Sequence, residues 1–280
     1  MDLLIRPEFQ PDQLAQRRAE LDAAKFQVAG LGSSVRFDYL DADVRQQQLE
    51  IGRGYIDLAH QLRSGFVRVF GDVFTAGQDA SGRERVLAQV VEGLTALGRY
   101  AEPRGVLVLM ETHGDFAATQ WMQTVMELVN HPAVGVLWDT HHPWRFYNEP
   151  LSESFNRLRP WIRHTHWKDS VADASSVGVD RPNVADASSV GVKDQKEAAA
   201  TAHSLMSGHK PAHYVLFGEG EFPAIEAVRL LDLAGYDGWY SLEWELAWHP
   251  ELAQPLIALP DFPRKLIALS AAVRAGNAGR

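Results

Sequence analysis

The chain has 280 residues, of which 46% are hydrophobic and 22% are charged. These proportions are ordinary for a globular protein, and they exclude a collagen-like fibre and a largely disordered chain. The sequence contains no cysteine, which excludes a disulfide framework and a cysteine-based metal site. It also lacks a long apolar run and a secretory signal, so we expect a cytoplasmic protein that has no membrane partner.

The charge balance is acidic. Lysine and arginine together number 27, aspartate and glutamate number 36, and the formal net charge is −9. An acidic surface repels the phosphate backbone, so we expect no nucleic-acid partner.

Short apolar runs alternate along the chain with longer segments of helical period. The segment Arg85–Tyr100, for example, places Val90, Leu94 and Leu97 on one stripe of a helix. Repeated strand–helix units predict a parallel sheet, either open or closed as a barrel. Seven strands are predicted, at Asp2–Arg6, Phe26–Gly32, Phe66–Gly71, Val106–Thr112, Val134–Thr140, Ile162–Trp167 and Gly238–Glu243.

The positions of the polar residues favour the barrel. An open sheet concentrates its chemistry at one switch point, often beside a glycine-rich turn, whereas a (β/α)8 barrel uses the ends of many strands. No glycine-rich turn follows the first predicted strand. We therefore predict an α/β protein with one TIM-barrel domain over residues 1–280. The polar residues that close separate strands are Asp72, Glu111, Asp139, His166 and Glu243.

One segment interrupts the alternation of strands and helices. The nine residues VADASSVGV occur at Val171–Val179 and again at Val184–Val192. Two copies are too few for a solenoid, so we interpret them as part of an insertion at about residues 171–215. Such an insertion is typical of a tolerated surface loop, and the alternative is a lid over the active site.

Four of the strand-end residues are predicted to converge. Strand alternation directs the side chains of Glu111, Asp139, His166 and Glu243 to the interior of the barrel. Three carboxylates and one imidazole form an oxygen-rich site that favours Mn²⁺, Mg²⁺ or Co²⁺ over a structural Zn²⁺. A bound cation would also remove the cost of burying the carboxylates.

The order and spacing of these residues resemble a known family. The sequence is similar to the sugar isomerase/epimerase superfamily with the xylose-isomerase-like TIM barrel, from about Leu3 to Leu269. The motifs that carry the resemblance are Glu111, then Asp139-Thr-His-His142, then His166-Trp-Lys-Asp169, then Glu243.

The resemblance implies one divalent metal ion held by Glu111, Asp139, His166 and Glu243. Mn²⁺ is the first choice, and Mg²⁺, Co²⁺ and Zn²⁺ are the alternatives. The resemblance also implies that His142 contacts a substrate oxygen. Glu111 and Glu243 would move protons on opposite faces of the carbon beside a carbonyl group, which makes them the predicted catalytic residues.

The predicted function is that of a metal-dependent isomerase or epimerase acting on a small sugar or polyhydroxy carbonyl compound. The same site would serve a dehydratase of an inosose-like keto-polyol, which is the alternative enzyme. A degenerate barrel that binds a ligand is the alternative that is not an enzyme. The net charge of −9 argues against the DNA-repair endonucleases of the superfamily.

Other residues near the strand ends are predicted to bind substrate. Two of these predictions have alternatives: Lys168 could instead pair with Asp169, and Arg68 could instead pair with Asp72. The predicted substrate-binding residues are His142, Lys168, Arg68, Trp144 and Trp248.

The first predicted strand carries a further implication. In the family, an arginine-bearing strand like Asp2–Arg6 is the second strand of the barrel, so the chain is predicted to lack the first βα unit. An open barrel exposes strand edges, which favours a homo-oligomer.

Overall fold

The computed structural model describes residues 3–77, 79–172 and 212–278, so most of the predicted insertion lies outside the described residues. The chain divides into two compact units, each built from separate stretches of sequence. The first unit comprises Met1–Trp138 and Leu158–His164, and the second comprises Asp139–Arg157 and Thr165–Arg280. Two strands, β4 (Val134–Asp139) and β5 (Ile162–Trp167), pass from one unit into the other.

The first unit alternates helices with parallel strands, which confirms the α/β class. The strand pairs β1–β2, β2–β3 and β3–β4 are all parallel. The helices are α1 (Pro11–Ala23), α2 (Ala42–Leu62), α3 (Ala80–Ala101) and α4 (Thr119–Val129). The strands that lie wholly in this unit are β1 (Gly30–Arg36), β2 (Phe66–Phe70) and β3 (Leu107–Glu111).

Apolar side chains on one face of this sheet form a core. Phe66, Leu109 and Leu137, from three neighbouring strands, pack together and are buried, and Leu107 lies against them. These positions alternate along their strands, as the pleat requires. The same alternation places Glu111 on this face, at the end of β3.

The second unit combines helices with short strand pairs. The end of β5 pairs in parallel with β8 (Tyr240–Leu242). An antiparallel pair, β6 (Asp169–Ala172) and β7 (Ala212–Val215), brings the two described ends of the predicted insertion together, with Ala172 opposite Ala212. The helices are α5 (His141–Tyr147), α6 (Leu151–Leu158), which the second unit contains up to Arg157, α7 (Ala224–Leu233) and α8 (Pro255–Ala278).

None of the helices in the described part of the chain, α8 included, is both long enough and apolar enough to cross a bilayer.

The structure corrects two of the predicted strands. Residues Leu3–Ile5 form a 3₁₀ turn rather than part of a strand, with the Leu3 N–H donating to the Tyr55 hydroxyl at 3.0 Å. The side chain of Leu4 lies against Gly54 of α2, so this apolar run packs on a helix and joins no sheet. The strand predicted at Phe26–Gly32 lies further along the chain, at Gly30–Arg36. The other five predicted strands are confirmed.

The core of the first unit predicts the effect of a truncation. Leu109→Ala should lower the free energy of unfolding by about 2–5 kcal/mol, because it opens a cavity between Phe66 and Leu137. Leu256→Ala is the matched control: Leu256 is 90% exposed, so its truncation should change stability by less than about 0.5 kcal/mol. Urea denaturation followed by circular dichroism measures both. Equal losses in the two variants would contradict this description of the core.

Candidate metal centre

The first unit holds Glu111 and Arg68 in a buried ion pair. Glu111 is the last residue of β3 and is fully buried. Arg68 Nη1 donates to Glu111 Oε2 at 2.7 Å, and Arg68 Nη2 donates to the Ser33 carbonyl oxygen at 3.1 Å. The alternative that Arg68 pairs with Asp72 is therefore wrong. A substrate-binding role for Arg68 stays a prediction.

Asp72 has different partners. Its carboxylate forms an ion pair with Arg36 and lies 3.1 Å from His113 Nδ1. Burial would raise the pKa of Asp72, but His113 and Arg36 outweigh burial and lower that pKa to about 2. The aspartate is therefore held as a carboxylate between two basic side chains.

Asp38 and Arg36 are charged residues that the sequence reasoning missed. Asp38 is fully buried, and its Oδ1 lies 3.4 Å from Arg36 Nε. Burial raises the pKa of Asp38 to about 7, and the Asp72 carboxylate adds to this effect, while Arg36 offsets part of it. Correct placement of the strand that ends at Arg36 would have drawn attention to both residues. The buried positions of that strand are Leu31, Ser33 and Val35, and the serine interrupts the apolar alternation by which a strand is recognised.

In the second unit, Asp139 is the last residue of β4 and lies two residues before the start of α5. Its Oδ1 accepts the N–H groups of His141 and His142 at 2.8 and 2.9 Å. These bonds satisfy two backbone donors in the first turn of α5 and fix the carboxylate. The second oxygen, Oδ2, lies 3.1 Å from Lys168 Nζ and 3.6 Å from His142 Nε2.

Lys168 is the centre of this cluster. Its side chain is 2% exposed, and its ammonium lies 2.5 Å from Glu243 Oε2 and 2.9 Å from Glu245 Oε1, in addition to Asp139. Burial would lower the pKa of Lys168, but the three carboxylates outweigh burial and hold it well above its ordinary value. The alternative that Lys168 pairs with Asp169 is wrong.

Three predicted metal ligands lie together in the second unit. One potential ligand atom from each of Asp139, His166 and Glu243 lies within 4.8 Å of the others. Burial would raise the pKa of Glu243, but Lys168 and His166 outweigh burial and hold that pKa well below its usual range. Glu111 belongs to the first unit, and its role as a fourth ligand stays a prediction.

The chemistry of these donors fits a divalent cation. Asp139, Glu243 and Glu245 carry three negative charges, and the Lys168 ammonium supplies one positive charge. The carboxylates outnumber this ammonium group, and Glu243 and Glu245 are only partly buried, so a divalent cation would offset the repulsion among the three carboxylates. Carboxylate oxygens and imidazole nitrogens are ligands that Mn²⁺ and Zn²⁺ accept.

Asp169 organises a loop instead of pairing with a lysine. Its carboxylate accepts N–H groups from Gly218 and Gly220 at 2.8 and 3.0 Å, and one from Phe222 at 3.0 Å. A Cβ at position 220 would lie 2.2 Å from Asp169 Oδ1, so this close approach requires a glycine. The loop Gly218–Pro223 is therefore bound through its backbone to Asp169, the residue that follows Lys168.

The two predicted stacking tryptophans differ in environment. Trp144 is partly buried, with its ring 5.7 Å from that of His141 and 5.6 Å from that of Phe222, and Arg145 lies over it. Trp248 is 72% exposed. The packing gives Trp144 a structural role, and substrate stacking by either ring stays a prediction.

Comparison with known proteins identifies the family. The sequence profile described as "Xylose isomerase-like TIM barrel" matches residues 1–260. The chain belongs to this family. The match confirms the resemblance drawn from the strand-end motifs and the predicted α/β TIM-barrel fold.

Individual relatives are more distant. The chain is 30% identical over 156 residues to a 3-dehydroshikimate dehydratase from Bacillus anthracis, covering 52% of each protein. It is 30% identical over 173 residues to an inosose dehydratase from Klebsiella pneumoniae subsp. pneumoniae, covering 60% of this chain and 50% of the relative. The chain thus spans about half the length of these curated relatives.

A solved structure shows the same fold. It is that of a xylose isomerase domain protein from Planctomyces limnophilus, which matches with a TM-score of 0.67 and 15% sequence identity. The match covers 96% of this chain and 86% of that chain.

The raised pKa of Asp38 predicts a pH dependence of stability. Because the folded-state pKa of about 7 exceeds the unfolded value of 3.8, the folded protein holds this proton more tightly. Asp38 therefore lowers the free energy of unfolding as the pH rises from about 4 to about 7, after which its effect is constant. Asp38→Asn should remove this component, so the variant should gain stability relative to wild type across that window.

Chemical denaturation at closely spaced pH values measures the difference between variant and wild type. Asp12→Asn, on an exposed position of α1, is the control and should track wild type at every pH. A difference between Asp38→Asn and wild type that stays constant from pH 4 to pH 7 would show that Asp38 does not titrate there.

Proposed function

We propose that the protein is a metal-dependent enzyme that removes a proton from the carbon beside the carbonyl group of a small polyhydroxy compound. The observation that carries this proposal is the cluster of the buried Asp139 with the partly buried His166 and Glu243, which has the ligand types and the excess negative charge of a divalent metal site. Membership of the family supports the same class of chemistry.

The proposed ligands are Asp139, His166 and Glu243, and the sequence pattern adds Glu111 as the fourth. Mn²⁺ is the first choice of metal because carboxylates outnumber imidazole in this set. A divalent ion held there would polarise the substrate carbonyl and lower the pKa of the adjacent C–H bond.

Glu243 is the proposed base. Lys168 and His166 hold its pKa well below the usual range and keep its carboxylate ionised, which is the protonation state that a base requires. The buried position of Lys168 also fixes the orientation of this carboxylate, through the 2.5 Å contact to Oε2.

His142 is the proposed contact for a substrate oxygen. Lys168 Nζ lies 2.8 Å from His142 Nε2, and an ammonium group can only donate. Nε2 therefore accepts, and the neutral ring carries its proton on Nδ1. The hydrogen bonds from the start of α5 to Asp139 hold His142 at this position.

Removal of the proton leaves a carbanion, and the next step of that carbanion distinguishes the candidate activities. Loss of a β-hydroxyl group gives dehydration, and the two dehydratases at 30% identity support this outcome as the first candidate. Delivery of a proton to the adjacent carbon gives isomerisation, and delivery to the opposite face of the same carbon gives epimerisation; these reactions are the second candidate. Epimerisation needs a second base on the opposite face of the carbon, and the sequence pattern offers Glu111 for that role.

The test is turnover by the Mn²⁺-loaded full chain with 3-dehydroshikimate, an inosose and free ketoses. Dehydration is followed by the absorbance of the conjugated product, and proton transfer by deuterium uptake from D₂O. Glu243→Gln should lower the rate by about 10²-fold or more, because the amide cannot accept the proton. Glu251→Gln, at a side chain that is 64% exposed, is the matched control and should keep the wild-type rate.

Two results would contradict the proposal. One is a Glu243→Gln variant that is folded and as active as wild type, which would remove Glu243 from the reaction. The other is a metal-loaded wild-type protein that neither converts nor deuterates any of these compounds while still binding one of them. That result would support the ligand-binding barrel instead.

A further inference from the structure

Lys168 contacts the carboxylates of two residues that are proposed to bind the metal. Its ammonium lies 3.1 Å from Asp139 Oδ2 and 2.5 Å from Glu243 Oε2. These are direct ion-pair distances, and the side chain is 2% exposed, so the ammonium is not free to withdraw into solvent. A cation bound by these two carboxylates therefore has a second cation as its neighbour.

We propose that Lys168 is an internal competitor for the divalent ion. It holds the ligand carboxylates together and at the same time lowers their affinity for metal. This inference rests on the proposed metal site and assigns Lys168 a positioning role toward it, separate from its predicted contact with substrate.

Two opposed electrostatic effects follow from the geometry. Without Lys168, the carboxylates of Asp139, Glu243 and Glu245 would lose the ammonium group that contacts all three of them, which destabilises the folded chain. With Lys168 present, a divalent ion at the same carboxylates is repelled by the ammonium, and this repulsion is strong in a buried environment. Removal of the ammonium should therefore weaken the fold and strengthen metal binding.

The remaining contacts of Lys168 limit the competition. Glu245 Oε1 at 2.9 Å and His142 Nε2 at 2.8 Å also contact the ammonium, and neither residue belongs to the proposed ligand set. Lys168 thus keeps two partners when Asp139 and Glu243 bind a metal. The competition should reduce metal affinity without preventing binding.

The test compares Mn²⁺ affinity and thermal stability in full-length variants. After treatment with EDTA and dialysis, Lys168→Met should melt at a lower temperature than wild type. Its Mn²⁺ affinity, measured by isothermal titration calorimetry, should be at least about tenfold tighter. Mn²⁺ should also raise its melting temperature by more than that of wild type.

Two further variants test the role of the charge. Lys168→Gln removes the charge but keeps a polar side chain, so it should also bind Mn²⁺ more tightly, and it substitutes for Lys168→Met if that variant does not fold. Lys168→Arg keeps the charge and should bind no more tightly than wild type. Lys265→Met is the control, because Lys265 pairs with Glu219 and Asp261 away from the proposed ligands and should leave Mn²⁺ affinity unchanged.

The outcomes separate this inference from the proposed function. Suppose that wild type binds one Mn²⁺ and that Lys168→Met or Lys168→Gln binds it equally or more weakly. That result would overturn the competition and would still support the metal site. Wild type that binds no Mn²⁺ would overturn both. If Lys168 is only a structural counter-ion, its substitution should lower the melting temperature but leave Mn²⁺ affinity unchanged. That result would also overturn the competition.

Discussion

Charge compensation around one buried ammonium group is the constraint on which the second unit depends. Lys168 contacts Asp139, Glu243 and Glu245, so three carboxylates, of which that of Asp139 is fully buried, surround one positive charge. The imbalance is costly for a folded chain and useful for a metal enzyme, because it creates affinity for a divalent ion. The proposed activity and the proposed competition are two consequences of this single arrangement.

Backbone donors hold two aspartate carboxylates of the second unit in place. Asp139 accepts two N–H groups at the start of α5, and Asp169 accepts those of the loop at Gly218–Phe222. Both sets of hydrogen bonds satisfy backbone N–H groups that would need an acceptor in any folded structure. The residues on either side of Lys168 are both held: Asp169 is hydrogen-bonded to the loop, and Trp167 is buried at the end of β5.

The sequence was sufficient to predict the elements that carry the site and insufficient to predict its ion pairs. Glu111, Asp139, His166 and Glu243 lie within or next to the ends of their strands, because apolar runs mark strands well. The pairing of Lys168 with Asp169 was wrong because adjacent residues in extended chain point to opposite sides. Arg68 forms an ion pair with Glu111 on the neighbouring strand, and the local spacing of residues in the sequence does not reveal such a pair. The strand predicted at Asp2–Arg6 failed because an apolar run can equally pack on a helix, as Leu4 does.

Equilibrium dialysis of the full chain against Mn²⁺, with wild type and His166→Ala side by side, tests the central claim most directly. In the proposed site, His166 would supply an imidazole ligand but no negative charge, so its removal tests coordination rather than the general acidity of the cluster. We expect wild type to bind one Mn²⁺ per chain and His166→Ala to lose most of that affinity while remaining folded. Absence of bound Mn²⁺ in wild type, or equal binding by the two proteins, would contradict a metal site at Asp139, His166 and Glu243.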